Sequence, residues 1–304
     1  MLPRTQPRDV DLERRRERSA LHRNRIYADP DGVPLLLDLY RPPADAPVPV
    51  VVWLHGGGWK SGSKDHCVVR WFVRYGYAVA AASYRLLPRH RHPAQADDAR
   101  AAVRFVRAHA EEWGVDPRRI TLGGVSAGAY LACLVGVTPG PLAAAAGLDA
   151  GRPDGVVEPV LAATRRVDDR VESVVNVSGF TDFPALQGLP SRRAGKASPE
   201  SALLGVEPRT VPERLAAVSP LTHVAAAAEA GVLPRFVHAH GEANRVIPPD
   251  QARRLHAAVR AAGGRSKLLE MKGSGHGDPR LLSEAGARGR IVDFLNLAEA
   301  LPAA

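Results

Sequence analysis

The stretch "RRITLGGVSAGAYLACLVG", residues 118–136, decides how the chain is read. An apolar, β-branched run breaks into two glycines, presents one serine, and continues as small and apolar residues. Ser126 stands between Gly124 and Gly128 in a G-x-S-x-G pattern. Alone the pattern is weak, because any glycine-rich turn can produce it. Its context strengthens it: a strand before and a helix after are what a nucleophile elbow requires, with the serine on a strained turn and glycines where side chains would clash. The Ala127 N–H, at the helix start, can then point at a developing oxyanion.

Outward from this turn, apolar runs alternate with amphipathic ones. Upstream, "PVPVVVWLHGGGW" (47–59) is a continuous apolar run ending in glycines, which is how a strand buried on both faces reads. "VPLLLDLYRPP" (33–43) alternates and stops at prolines, so it is expected as a strand near an edge. "YGYAVAAASYRLL" (75–87) is a further strand. "AQADDARAAVRFVRAHAEEWG" (94–114) is a helix with Ala99, Ala102, Val103, Val106 and Ala110 on one face, and with Asp97 and Asp98 as cap and packing residues at its start. Downstream, "VESVVNVSGFTDF" and "LPRFVHAH" read as strands and "PDQARRLHAAVRAAGG" as a helix ending at glycines. "SKLLEMKGSGHG" is a last strand with a glycine-rich loop, and a terminal helix closes the chain. The expected fold class is α/β: a mostly parallel sheet with helices on both faces. One domain is expected over 1–304. A basic extension covers 1–24, and the Gly/Pro/Ala-rich segments 138–170 and 184–220 are expected as cap-like or lid-like excursions.

Composition bounds the function. The formal charge is +9, and thirty-six of the 41 basic residues are arginine. They are spread along the chain, with one compact run, "RRRER" at 14–18, and no recognition module for nucleic acid is visible, so no nucleic-acid partner is expected. Cys67 and Cys133 form no CxxC or Cys/His cluster, which leaves no case for structural zinc. The first residues hold no apolar core of signal-peptide length and no window reaches a membrane span, so a cytoplasmic protein without a membrane partner is expected. "GGVSAG" lacks both the lysine of a Walker loop and the spacing of a dinucleotide fingerprint, so no cofactor and no metal is expected.

Two further motifs join Ser126. In "HGGGW" (55–59), successive glycines let backbone approach a substrate carbonyl, so the N–H groups of Gly57 and Gly58, with that of Ala127, would form an oxyanion hole. In "GSGHG" (273–277), His276 follows the last strand in a loop whose glycines give it reach, as a general base for Ser126 requires. Most of the other histidines, such as His22, His90, His92 and His109, sit in charged stretches and are expected to be solvated. Trp59 and Trp71 read equally as pocket lining or core.

With these motifs together, the chain resembles an α/β-hydrolase of the carboxylesterase/lipase type. It is most similar to small bacterial esterases grouped with bifunctional feruloyl and acetylxylan esterases. The resemblance runs from "LDLYRP" (37–42) to the terminal helix and includes "SYRLLPRHRHPAQADDARAAVRFVRAHAEEWGVDPRRI", "SGFTDF" and "SPESALLG". It implies hydrolysis of short acyl or aromatic esters through an acyl-serine.

Such families carry His-Gly-x-x-Asp-x-x-Val-Pro around the triad acid, and here the same frame reads "HGEANRVIP" (240–248). Asn244 stands where the acid belongs, and Glu242 lies two residues before it. Four readings remain open. Asn244 could accept the His276 N–H through its carbonyl oxygen in a slow or specialised esterase. Glu242 could swing in as the acid, although two residues along an extended loop usually reverses side-chain direction. Asp182 of "SGFTDF" could serve, its plainer role being a turn cap. Finally, the protein could bind a ligand or catalyse elimination or cyclisation. The small-molecule ester is the partner expected on the first three.

Overall fold

The protein was analysed as a computed structural model that describes residues 22–140, 167–187, 198–207, 210–283 and 286–297. The "RRRER" run and the central parts of both excursions lie outside the described residues. Eight strands form one sheet: β1 (His22–Ala28), β2 (Leu35–Tyr40), β3 (Val48–Leu54), β4 (Ala78–Ala82), β5 (Val115–Val125), β6 (Ser173–Val177), β7 (Arg235–Gly241) and β8 (Ser266–Met271). Their spatial order is β1-β2-β4-β3-β5-β6-β7-β8. The β1–β2 and β2–β4 pairs are antiparallel and every later pair is parallel, with Val51 opposite both Val79 and Thr121 at the sheet centre.

Period-two alternation within continuous apolar runs makes two cores. Val50, Val52 and Leu54 of β3 face one side, packed with α1 (Ala94–Ala108) and α3 (Ala127–Val137). Val51 and Trp53 face the other, where Trp71, Phe72 and the apolar side of the terminal helix cover the sheet. Between α1 and α3 lies the short α2 (Ala110–Trp113), and after β6 come α4 (Pro199–Leu204), α5 (Pro212–Ala217), α6 (Val224–Glu229), α7 (Asp250–Ala261) and the terminal α8 (Arg288–Asn296). Every residue of α3 is buried, which accounts for its uniformly apolar sequence.

Two expectations need correction, and further residues find their place. The strand of "VPLLLDLYRPP" is not at an edge: β2 lies between β1 and β4. The edge on this side is β1, "HRNRIYA", which begins inside the segment expected as a basic extension. Its only buried residue is Tyr27, so it carried no alternation to read, and its charges suit an unpaired edge. Asp98 is the packing residue expected and not a cap. It is buried and takes the Arg85 guanidinium at 2.7 Å, together with the Arg85 N–H at 2.8 Å, which ties α1 to the chain leaving β4. Trp59 and Trp71 are both core: Trp59 stacks on Phe180 and meets Tyr130 edge-on, and Trp71 stacks on Phe72.

Candidate active site

The C-terminal ends of β3, β5, β7 and β8 bring the site together. At β5, Ser126 is held at φ 55°, ψ −116°, a conformation that L-residues rarely adopt. The strain is held by its surroundings. The Ser126 N–H donates to the Val177 carbonyl at 2.8 Å, while a Cβ at Gly128 would run into the Leu54 carbonyl oxygen and one at Gly124 into the Gly128 backbone. The elbow therefore needs both glycines for close strand-to-helix packing.

Beyond β3, the His55–Trp59 loop turns beside the serine, and a Cβ on Gly56 would touch Val125 and Ser126. Gly57 and Gly58 have φ of 114° and 59°. Among the described residues, the N–H groups of Gly57, Gly58 and Ala127 have no acceptor, so all three remain free to donate. The loop is braced from behind. Tyr84 stacks on the His55 ring at 4.2 Å and its hydroxyl donates to the His55 carbonyl at 2.9 Å. Lys64, paired with buried Asp38 at 3.0 Å, pins the far end, its N–H donating to Ser83 Oγ. Neither Tyr84 nor Lys64 was singled out from sequence, because each acts through a partner distant in the chain.

His276 reaches Ser126 across the gap, with Nε2 3.1 Å from Ser126 Oγ. Burial holds its pKa below the ordinary 6.5, which keeps the imidazole neutral near pH 7. Its other nitrogen, Nδ1, lies 3.2 Å from Asn244 Nδ2. The loops carrying these two residues are sewn together by backbone: Glu242 N–H donates to Met271 O and Ala243 N–H to Ser274 O, each at 3.0 Å. A Cβ at Gly241 would strike the Ser274 carbonyl, so the glycine of "HGEAN" permits that approach.

The acid position departs from all three readings that supply an acceptor to His276. Asn244 is buried, and its carbonyl oxygen accepts the Val246 and Ile247 N–H groups at 3.1 and 3.0 Å. The amide nitrogen, not the oxygen, therefore faces His276. Glu242 does not swing in. It is exposed, and its N–H is fixed to β8. Asp182 caps the turn after it, accepting the Ala185 N–H at 3.2 Å, and pairs with Arg254 at 2.7 Å. His240, buried beside Asn244 and not considered as a site residue from sequence, points Nε2 at the Ile247 carbonyl (2.9 Å) and at Asn244 Nδ2 (3.3 Å). Its signal was its place two residues before Glu242, in the strand end of the same motif.

Among the described residues no group of three or more His, Cys, Asp or Glu is arranged to hold a metal ion, and no helix is long and apolar enough to cross a membrane. Cys67 and Cys133 are both buried and free, and burial pushes the Cys67 thiol up to about 11.

Known proteins resemble this chain in sequence and in fold. Esterase LipC of Mycobacterium tuberculosis is 30% identical over 272 residues, covering 86% of this chain and 61% of its own. Ethyl acetate hydrolase of Pseudomonas putida is 38% identical over 142 residues, covering 45% of this chain and 44% of its own. The chain thus spans about half the length of the curated relatives it matches. A truncated carbohydrate esterase from gut microbiota superimposes with a TM-score of 0.75 at 24% identity, covering 92% of this chain and 96% of that one. Esterase Est2 of Thermogutta terrifontis superimposes with a TM-score of 0.66 at 26% identity, covering 93% and 91%, and has also been solved with propionate and with butyrate bound. The fold is that of an α/β-hydrolase. A model of the BD-FAE family matches residues 37–259, and the chain belongs to that family.

Proposed function

We propose that the chain hydrolyses short carboxylic esters through an acyl-serine intermediate, with Ser126 as nucleophile and His276 as general base and acid. The observation that carries this is the 3.1 Å contact between His276 Nε2 and Ser126 Oγ, made beside three free N–H donors from Gly57, Gly58 and Ala127. Ser126 Oγ attacks the ester carbonyl carbon and passes its proton to His276 Nε2. The three N–H groups receive the oxyanion, and the alcohol departs with the proton from His276. Water, deprotonated by His276, then attacks the acyl-serine and releases the acid. No cofactor enters these steps. A short acyl group is supported by the relatives' names, ethyl acetate hydrolase and the propionate- and butyrate-bound Est2.

Asn244 sets the pace of this reaction. Nε2 can accept the serine proton only when the imidazole carries its own proton on Nδ1. An amide N–H donating to Nδ1 favours the opposite tautomer, with the proton on Nε2, so turnover proceeds from the minor form. The expected enzyme is a slow esterase. Turnover of p-nitrophenyl acetate and butyrate by the parent and by Ser126→Ala tests it: the parent is expected to exceed the variant clearly. Equal rates, with no gain on Asn244→Asp, overturn the hydrolytic reading in favour of ligand binding or elimination.

A further inference from the structure

Four residues from Gly57 to Gly62 have positive φ: Gly57, Gly58, Trp59 at 61° and Gly62 at 101°. Trp59 holds a conformation that side chains disfavour, so the loop keeps its path only because its surroundings hold it. Within the loop, the Gly57 carbonyl accepts the Lys60 and Ser61 N–H groups at 3.0 and 3.2 Å, which closes one turn. Gly62 folds that turn back on its own start, where a Cβ would strike the His55 ring. The turn is thus a small unit that carries the Gly57 and Gly58 N–H groups. Its angle to Ser126 is set by what grips its two ends. One end is β3, and the other is Lys64.

The Lys64 N–H donates to Ser83 Oγ at 3.0 Å, and its ammonium donates to Asp38 Oδ2 at 3.0 Å and to Asp65 Oδ1 at 3.1 Å. Asp65 is exposed, whereas Lys64 and Asp38 are buried. Burial works against the ammonium, but its hydrogen bonds to the two carboxylates outweigh burial and raise the Lys64 pKa above the ordinary 10.5. Asp38 and Ser83 are held in turn by the edge strand. The β1–β2 register shifts between His22 and Arg25, where Asn24 has φ 52° and turns its N–H out of the ladder to Asp38 Oδ1 at 2.8 Å. Three residues on, the Tyr27 hydroxyl donates to the Ser83 carbonyl. Both distant partners of Lys64 are therefore themselves tied to β1.

We propose that Lys64 is a positioning residue for the oxyanion hole, and that β1, through Asn24 and Tyr27, is the outer part of its anchor. Being buried, Lys64 acts through the loop and not on the substrate: it fixes the angle at which the 57–62 turn presents the Gly57 and Gly58 N–H groups to Ser126. The effect on turnover rests on the reading of Ser126 and these donors as the working site; the hold on the loop does not. A pair that only neutralised Asp38 would matter for stability alone, and substitution separates the two roles. Lys64→Met leaves a buried carboxylate unpaired and destabilises. Adding Asp38→Asn removes that charge, keeps an acceptor for the Asn24 N–H, and restores stability toward the parent while the anchor stays absent.

The test compares the parent with Lys64→Met/Asp38→Asn and with Tyr27→Phe, all in the full chain. The double variant is expected to keep most of the parent's urea midpoint, yet to lose about 10–100-fold in kcat on p-nitrophenyl butyrate with KM nearly unchanged. Parent kcat in a folded double variant overturns the proposal. Tyr27→Phe removes one hydroxyl. It is expected to lower kcat about threefold in the parent and to have no further effect in the double variant, because the two share one anchor. An inert Tyr27→Phe, or effects that multiply, overturns the part given to β1. Chains labelled with ¹⁵N-glycine follow the loop directly. The Gly57 and Gly58 amide resonances are expected to move in both variants, with Gly289, exposed on α8, as the unmoved reference. Should the double variant fail to fold, Tyr27→Phe decides alone: moved amides with a lowered kcat support the anchor, and unmoved amides overturn it. The resonances require no ester turnover, so a failed anchor and a failed esterase reading remain distinguishable.

Discussion

One atom separates Asn244 from an aspartate, and that atom reverses the hydrogen-bond direction at His276 Nδ1. In a serine protease the same amide costs about 10⁴ in kcat, about 5.4 kcal/mol of transition-state stabilisation. Asn244→Asp is therefore expected to raise kcat on p-nitrophenyl butyrate by about 10³–10⁴-fold, with KM changing far less. The pH profile should move as well. Burial holds the His276 pKa below 6.5, and only the neutral imidazole could act as base, so the acid limb of kcat/KM in the parent is expected below pH 6.5. A carboxylate at 244 favours the imidazolium, so in Asn244→Asp that limb moves to higher pH. A limb that stays in place or moves lower would show that residue 244 does not face His276 in solution.

At the scale of elements, the site depends on how closely α3 enters against β3 and β5. A side chain at Gly128 would meet the Leu54 carbonyl, which is backbone and cannot turn aside. Gly128→Ala is expected to destabilise by about 1–3 kcal/mol or more, read from the urea midpoint at constant m-value. Gly289, exposed in α8 with open space where a Cβ would lie, is the contrasting case. Gly289→Ala is expected to stabilise by about 0.5–1 kcal/mol through helix propensity and a less free unfolded chain. The helices and strands were largely legible in sequence because both cores use periodic apolar residues. β1 was not legible, because an edge strand is held by backbone pairing to β2 and by Asn24 N–H donating to Asp38 rather than by a buried face.

Across the whole molecule, a polar chain, buried at Asn176 and His238 and half-buried beyond them, crosses three strands of the sheet. Asn176 Nδ2 donates to His238 Nδ1 at 3.0 Å, and His238 Nε2 meets Ser266 Oγ, which in turn donates to His256 Nδ1 at 2.8 Å. His238 is fully buried, and desolvation takes its pKa down to about 3. Between pH 6.5 and about 3 the unfolded chain binds a proton there and the folded chain does not. Stability from this residue is complete above pH 6.5 and falls as the pH drops through that window, by about 1.4 kcal/mol per pH unit. His238→Gln should flatten the pH dependence of the unfolding free energy between pH 6 and about 4 by roughly that slope, whatever its effect at pH 7. An unaltered slope would mean that His238 is protonated in the folded state.

What the amino-acid sequence determined by itself was local and repetitive: the βαβ alternation, the serine elbow, the glycine-rich loop after β3, and the loop that carries His276. These depend on small residues and on periods of 2 and 3.6, which are written along the chain. The tertiary structure alone decided what faces His276. Asp182 is drawn away because α7 brings Arg254 to it. Glu242 faces solvent because its backbone is sewn to β8. Asn244 turns its nitrogen to His276 because two backbone N–H groups hold its oxygen, and His240 comes against it because the loop after β7 folds back on the strand end. Hydrogen-bond direction follows from the three-dimensional arrangement of donors, and no spacing of residue types records it.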